Sequence, residues 1–77
     1  MPTIRELRLI SGLTQIETAK RSGVDRSRLS MVEAGYAALR PTEEAAVRRV
    51  LRDEIKSRAQ ALIQFLEADR AVGLANA

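Results

Sequence analysis

The sequence predicts an all-α fold: a bundle of short helices followed by one long C-terminal helix, or by two helices joined by a bend. Three observations predict it. Two segments, Thr3-x-x-Glu6 and Thr14-x-x-Glu17, each open a stretch that closes on a glycine, Gly12 and Gly23. In such a pair the threonine oxygen and the glutamate satisfy orphan amides reciprocally, which marks a helix start. A glycine takes the left-handed conformation at low cost, which marks a helix end. The third observation is a run, residues 42–70, with no Gly or Pro and with apolar residues at helical spacing.

The first helix starts at the Thr3 cap, and Pro2 is compatible with a chain entering a helix. Ile4, Leu7 and Ile10, with Leu13 beyond, make its apolar stripe. The second helix starts at Thr14 and turns Ile16 and the small Ala19 inward, the latter letting a third helix cross closely. Gly23 makes the turn, and Val24 can tuck beneath both helices. Asp25 caps the third helix, its carboxylate accepting from the amide of Ser27 or Arg28. Leu29 and Val32 bury together, Arg26, Ser27, Ser30 and Met31 point elsewhere, and Gly35 is the stop.

Tyr36 to Arg40 reads as a short loop before Pro41. Thr42 can cap the long C-terminal helix, and Glu43 and Glu44 suit its positive end. Ala45, Val47, Val50, Leu51, Ile55, Ala59, Leu62, Ile63, Phe65 and Leu66 form a broad stripe, with Arg49, Lys56, Gln60, Gln64 and Glu67 opposite. Glu54 and Arg58 interrupt the stripe but can pair at i,i+4. Gly73 is the expected end, and residues 73–77 a frayed tail. A continuous helix over 42–70 would be about 43 Å long. That exceeds the breadth of a bundle built from residues 1–40, so it bends near residues 53–57 or overhangs. In either case Leu62, Ile63, Phe65 and Leu66 need a surface, and a second copy of the chain is the simplest supplier. The expected organisation is a domain over 3–52 and a dimerising helical extension over 53–72, using Ile55, Ala59, Leu62, Ile63, Phe65 and Leu66.

Seventy-seven residues make one small domain, marginal alone and commonly helped by a partner chain. With no Cys and no His, disulfides, thiolate and imidazole metal sites, and Cys or His catalysis are excluded; no cofactor is expected. No arrangement sets a nucleophile beside an activating base, so the chain is not read as an enzyme. No apolar run reaches transmembrane length and no signal-peptide core opens the chain, which points to a cytoplasmic protein without a membrane partner. The net charge is +3, unevenly spread: residues 1–40 hold seven bases and four acids, residues 41–77 six of each. Eleven of the thirteen bases are Arg, which forks onto phosphate and guanine. Solubility alone is a competing reason for such a composition.

The whole charge excess thus lies on the half that carries residues 14–35, two short helices joined at Gly23, the second opening with Arg26-Ser27-Arg28. That is how a helix-turn-helix presents side chains to the DNA major groove. Residues 4–52 resemble the lambda-repressor-like helix-turn-helix family, the Xre/Cro group. The matching residues are Ile4, Leu7-Arg8, Gly12-Leu13-Thr14-Gln15, Ala19, Gly23-Val24, Arg26-Ser27-x-Leu29-Ser30, Glu33-x-Gly35 and Pro41. Thr18 departs from the pattern, where the family usually has Leu. The family usually ends in two short helices, so residues 53–72 are only loosely covered.

The resemblance implies roles by position. Gln15 would touch the phosphate backbone and buttress the reading helix. Arg26 and Ser27 match first-turn base readers and Met31 a groove-facing position one turn later. Arg8 and Glu33 match a salt bridge tying the first helix to the third. Within this motif Arg28 and Ser30 join the base readers, and Thr14, Arg40 and Tyr36 join Gln15 at phosphate. Met31 can alternatively be core, Tyr36 a lid over the third helix, and Ser27 or Ser30 can bond its own backbone. Arg48, Arg49 and Arg52 read as a solvated face.

The sequence therefore points to a homodimeric regulator of double-stranded DNA, a repressor on a palindromic operator with half-sites about 34 Å apart, cytoplasmic and nucleoid-associated when bound. The chain shows no room for a small-molecule effector domain, so control would come from concentration, dimerisation or a regulatory protein partner. The competing reading is a protein-interaction module, antitoxin-like or adaptor, whose C-terminal half binds another protein. One Tyr and one Phe offer no stacking platform for RNA.

Overall fold

The computed structural model describes residues 1–75. Among these it contains four helices and no strand: α1 (Ile4–Ser11), α2 (Gln15–Ser22), α3 (Arg26–Glu33) and α4 (Pro41–Ala75).

Local chemistry sets the short helices. The Thr3 hydroxyl accepts from the Glu6 amide at 3.1 Å. At Thr14 the capping box is complete: the hydroxyl accepts from Glu17 N–H at 3.1 Å, and Glu17 Oε1 accepts from Thr14 N–H at 3.2 Å. The Thr14 side chain and backbone N–H, acting on the exposed Glu17 carboxyl, hold it below its ordinary pKa, the side chain contributing most. Asp25 caps α3 by accepting from Arg28 N–H at 3.2 Å. Gly12 and Gly23 stop α1 and α2 at φ +78° and +77°. The end of α3 is a full Schellman closure: Gly35 N–H reaches the Val32 carbonyl at 3.1 Å, and Tyr36 N–H reaches Met31 at 2.8 Å.

The start of α4 differs from the Thr42 expectation. Pro41 takes the first helical position, where its missing N–H costs nothing. Arg40 precedes it, its carbonyl accepting from Glu44 N–H and its N–H donating to Glu43 Oε1 at 3.0 Å. The cap is thus Arg40 with Glu43 reaching back, and Thr42 lies inside the helix.

The core is Ile4, Leu13, Ala19, Val24, Leu29, Val47 and Leu51, with Leu7, Leu39 and Val50 packed against it. Leu29, Val47 and Leu51 have no exposed surface; burying each contributes roughly 1.5–3 kcal/mol. Four expectations fail here. Ile16 and Ile10 are 45% and 61% exposed, because the bundle covers only one side of α1 and α2. Thr18, not Ile16, is the second buried residue of α2. Its hydroxyl donates to the Thr14 carbonyl at 2.8 Å, so the polar atom is satisfied where the family usually has Leu. Val32 is only half-buried. Glu54 and Arg58 do not pair with each other: Glu54 accepts from Arg21 at 3.1 Å, and Arg58 donates to the Ile10 carbonyl at 3.1 Å. Each finds a tertiary partner that a one-helix view misses.

The helix α4 is unbroken. Its 35 residues correspond to about 52 Å, and the molecule measures 56 × 22 × 18 Å. Only its first part packs on the bundle, against α1 and α2. Arg48 ties that part down, donating to Glu44 at 3.2 Å and to the Pro2 carbonyl at 3.0 Å. From Lys56 to Gly73 every residue is exposed. The helix therefore overhangs rather than bends. Gly73 does not end it: the helix continues to Ala75, and residues 76–77 of the expected tail lie outside the described residues.

Candidate nucleic-acid interface

The site is assembled around one buried ion pair. Arg8, midway along α1, donates from Nε and Nη2 to the two carboxylate oxygens of Glu33 at 2.7 and 2.8 Å. This two-pronged match suits the planar guanidinium. The side chains are only 14% and 4% exposed. Arg8 Nη1 also donates to the Leu13 carbonyl at 3.1 Å, and Gln15 Nε2 donates to Glu33 Oε1 at 3.3 Å. Three elements thus meet on Glu33, the last residue of α3. Burial pushes its carboxyl up, but the bonds from Arg8 and Gln15 and the charges of Arg8 and Arg5 outweigh it and hold the group below the ordinary glutamate value. The bond to Glu33 in turn raises the Arg8 pKa.

With its far end fixed to α1 and α2, and Leu29 fully buried beneath it, α3 has one orientation and one open face. Arg26, Ser27, Ser30 and Met31 line a shallow depression of about 290 Å³ on that face. All four are exposed, Met31 at 49%, so its core alternative falls. A guanidinium, two hydroxyls and a thioether share one face: two kinds of donor for base edges and an apolar group for a thymine methyl.

Arg28 stands apart from these four. Its Nη1 donates to Glu43 Oε2 at 2.7 Å, and its Nη2 to the Ala38 carbonyl at 3.3 Å. The side chain is turned back onto the loop and the start of α4. Glu43 therefore serves two partners, capping α4 with one oxygen and holding Arg28 with the other.

Of the expected phosphate contacts, Gln15 shares a concavity with Ser30 of the open α3 face. Thr14 is exposed at the start of α2, and Gln15 is half-buried beside it. Tyr36 is 82% exposed, which removes the lid alternative, and Arg40 is exposed on the loop after α3. Sequence reasoning missed Arg5, which lines the same concavity as Gln15 and Ser30, with Arg8. Its i,i+3 spacing from Arg8 was the available signal. It also missed Glu43, for which no local pattern exists: its partner Arg28 lies fifteen residues away.

A family model described as helix-turn-helix, of the lambda-repressor and Xre-like kind, matches residues 4–52, from the start of α1 into α4. The chain belongs to the helix-turn-helix family. No curated protein and no solved structure matches it. The matched span contains the ion pair, the turn at Gly23 and the open face of α3, and leaves out the overhang of α4. This helix-turn-helix protein is a DNA-binding regulator. Among the described residues no helix is long and apolar enough to cross a membrane.

Proposed function

We propose that the protein is a homodimeric repressor that reads a palindromic operator through the major groove. The observation that carries this is the open face of α3. Arg26, Ser27, Ser30 and Met31 stand exposed together while the opposite side of the helix is locked by Leu29 and the Arg8–Glu33 pair. Arg26 is the principal base reader, its fork suited to guanine O6 and N7. Ser27, Ser30 and Met31 refine the choice. Thr14, Gln15, Tyr36 and Arg40 contact phosphate, joined by Arg5. Arg28 is a positioning residue that fixes the loop after α3.

One reading helix contacts few base pairs, and two-fold pairing doubles both contact and discrimination. The overhang supports a dimer: Leu62, Ile63, Phe65 and Leu66 are 54–75% exposed on one helix segment, and stable monomers rarely show such patches. Residues 3–52 act as the reading domain and 53–72 as the dimerising extension. Repression results from occupancy, since a protein bound at a promoter excludes others sterically. Titration of labelled duplex DNA at several salt concentrations tests the reading. Binding that weakens linearly in log Kd against log salt supports it. A chain indifferent to DNA, whose overhang captures a different protein, would instead support the interaction-module reading.

A further inference from the structure

The overhang carries more information than its hydrophobicity. At about 100° per residue, Ile55, Ala59, Leu62 and Leu66 fall on one line along α4. The near half of this line is one wall of a groove. Leu9 and Ile10 of α1, 59% and 61% exposed, face Ile55, Ala59 and Leu62 across about 370 Å³. Arg58 stands at its edge, held by its bond to the Ile10 carbonyl at 3.1 Å. Two helices thus preform a seat whose shape does not depend on a partner.

Resting on the homodimer reading above, we propose that a second copy of the chain fills this groove, with the two α4 overhangs antiparallel and their two-fold axis near Gln64. Charge decides the direction. Beyond Leu66 the same line continues through Asp69 to Gly73. In a parallel, in-register pair each residue of the line meets its own copy, so Asp69 faces Asp69 inside the seam, and like charges there are costly. The near end, with Lys56 and Arg58, would also lie against itself. Antiparallel pairing about residue 64 sets Leu62 against Leu66 of the second copy, Ala59 against Asp69, and Ile55 against Gly73. Ala59 is small enough to admit the carboxylate. Arg58 and Asp69 lie about 20° apart around the helix, so the guanidinium and the carboxylate share one side of the seam. Ile63 and Phe65 flank the line and meet their own copies across the axis. At the rim Lys56 meets Arg70, which Glu67 offsets from one turn away.

The arrangement has a consequence for DNA. The bundles centre on α4 near Val47, so antiparallel pairing holds them about 50 Å apart along the helix pair. The half-sites are then spaced wider than the single turn, about 34 Å, that the sequence alone suggested.

The natural absence of cysteine allows a direct test. A single cysteine at Gln60, Gln64 or Ala71, all on the outer side of α4, takes one spin label per chain. Pulsed dipolar spectroscopy then reads the distance between labels. The antiparallel pair predicts the shortest distance at residue 64, with axial offsets of about 12 Å at residue 60 and about 21 Å at residue 71. Equal distances at all three positions would overturn the antiparallel arrangement and leave the homodimer standing. No dipolar coupling at tens of micromolar protein would overturn both. Ile10→Glu places a charge at a surface site of the single chain, so the fold survives. It should weaken self-association by at least about tenfold, because the charge is buried without a partner in the dimer. Unchanged association would remove the α1 side of the groove from the interface.

Discussion

Replacing Arg8 with alanine is the sharpest test of how the reading helix is held. The guanidinium makes two bonds to Glu33, at 2.7 and 2.8 Å, and one to the Leu13 carbonyl at 3.1 Å. After Arg8→Ala, Glu33 keeps only the Gln15 bond at 3.3 Å while its side chain remains close to buried, at 4% exposure in the intact protein. Breaking a buried pair from one side costs about 3–5 kcal/mol, because the other charge is stranded. A domain of this length has a total stability of about 4–12 kcal/mol, so Arg8→Ala removes a large part of it. Replacing both partners by apolar residues, Arg8→Met with Glu33→Leu, should cost far less, within about 1.5 kcal/mol of the parent. The pH dependence separates the two further. In the parent the folded Glu33 pKa lies below the unfolded value. Its contribution is therefore complete above about pH 4.3 and is lost as the pH falls through the folded value. In Arg8→Ala the burial effect is far less opposed and the pKa rises, so the sign reverses and mild acidification stabilises the variant. Urea denaturation followed by helical circular dichroism, from pH 7 down to pH 4, measures both. A loss below about 1 kcal/mol for Arg8→Ala, with an unchanged acid limb, would refute the reasoning.

The same geometry sets three further outcomes. Gly12→Ala should cost more than Gly23→Ala. Both place a side chain at positive φ, about 1–2 kcal/mol, but only at Gly12 does the new Cβ also meet the Arg58 guanidinium; paired urea melts give the difference, and equal losses would show that Arg58 yields freely. Arg28→Ala should leave the DNA base preference intact and cost less than about 1 kcal/mol of stability, since its pair with Glu43 is partly exposed; a changed preference in a binding selection would return Arg28 to the base readers. Leu66→Glu should give a monomer by sedimentation and a steep fall in operator affinity, because each half-site must then be bound independently; a dimer of unchanged strength would remove Leu66 from the interface.

The parts of this molecule that were legible in the sequence are those fixed by local chemistry. The caps at Thr14 and Asp25 and the glycine stops at Gly12, Gly23 and Gly35 depend on residues three or four apart and form as read, while at Thr3 only half of the capping box forms, the hydroxyl accepting from Glu6 N–H. Ala19, Val24 and Leu29 were legible as core because the turn at Gly23 constrains them to one side. The Arg8–Glu33 pair, twenty-five residues apart, was legible only through the family resemblance. Partners set by the approach of distant helices were not legible. Arg21 meets Glu54, Arg28 meets Glu43 and Arg58 meets Ile10, and no period in the sequence encodes these. Ile10 and Ile16 have the spacing of core residues but face outward, because a small bundle covers only one side of each short helix. Gly73 lies within the helix, since glycine there weakens a helix without obliging it to end.

The central claim is that the open face of α3 reads base sequence as half of a symmetric pair. Selecting bound duplexes from a random DNA pool, with the intact protein and with Arg26→Ala in parallel, tests it most directly. The intact protein should enrich an inverted repeat. Arg26→Ala should relax the preference at one base pair in each half-site and lose about 1–3 kcal/mol on the parent site. Enrichment of no motif, or an identical motif from both proteins, would contradict it.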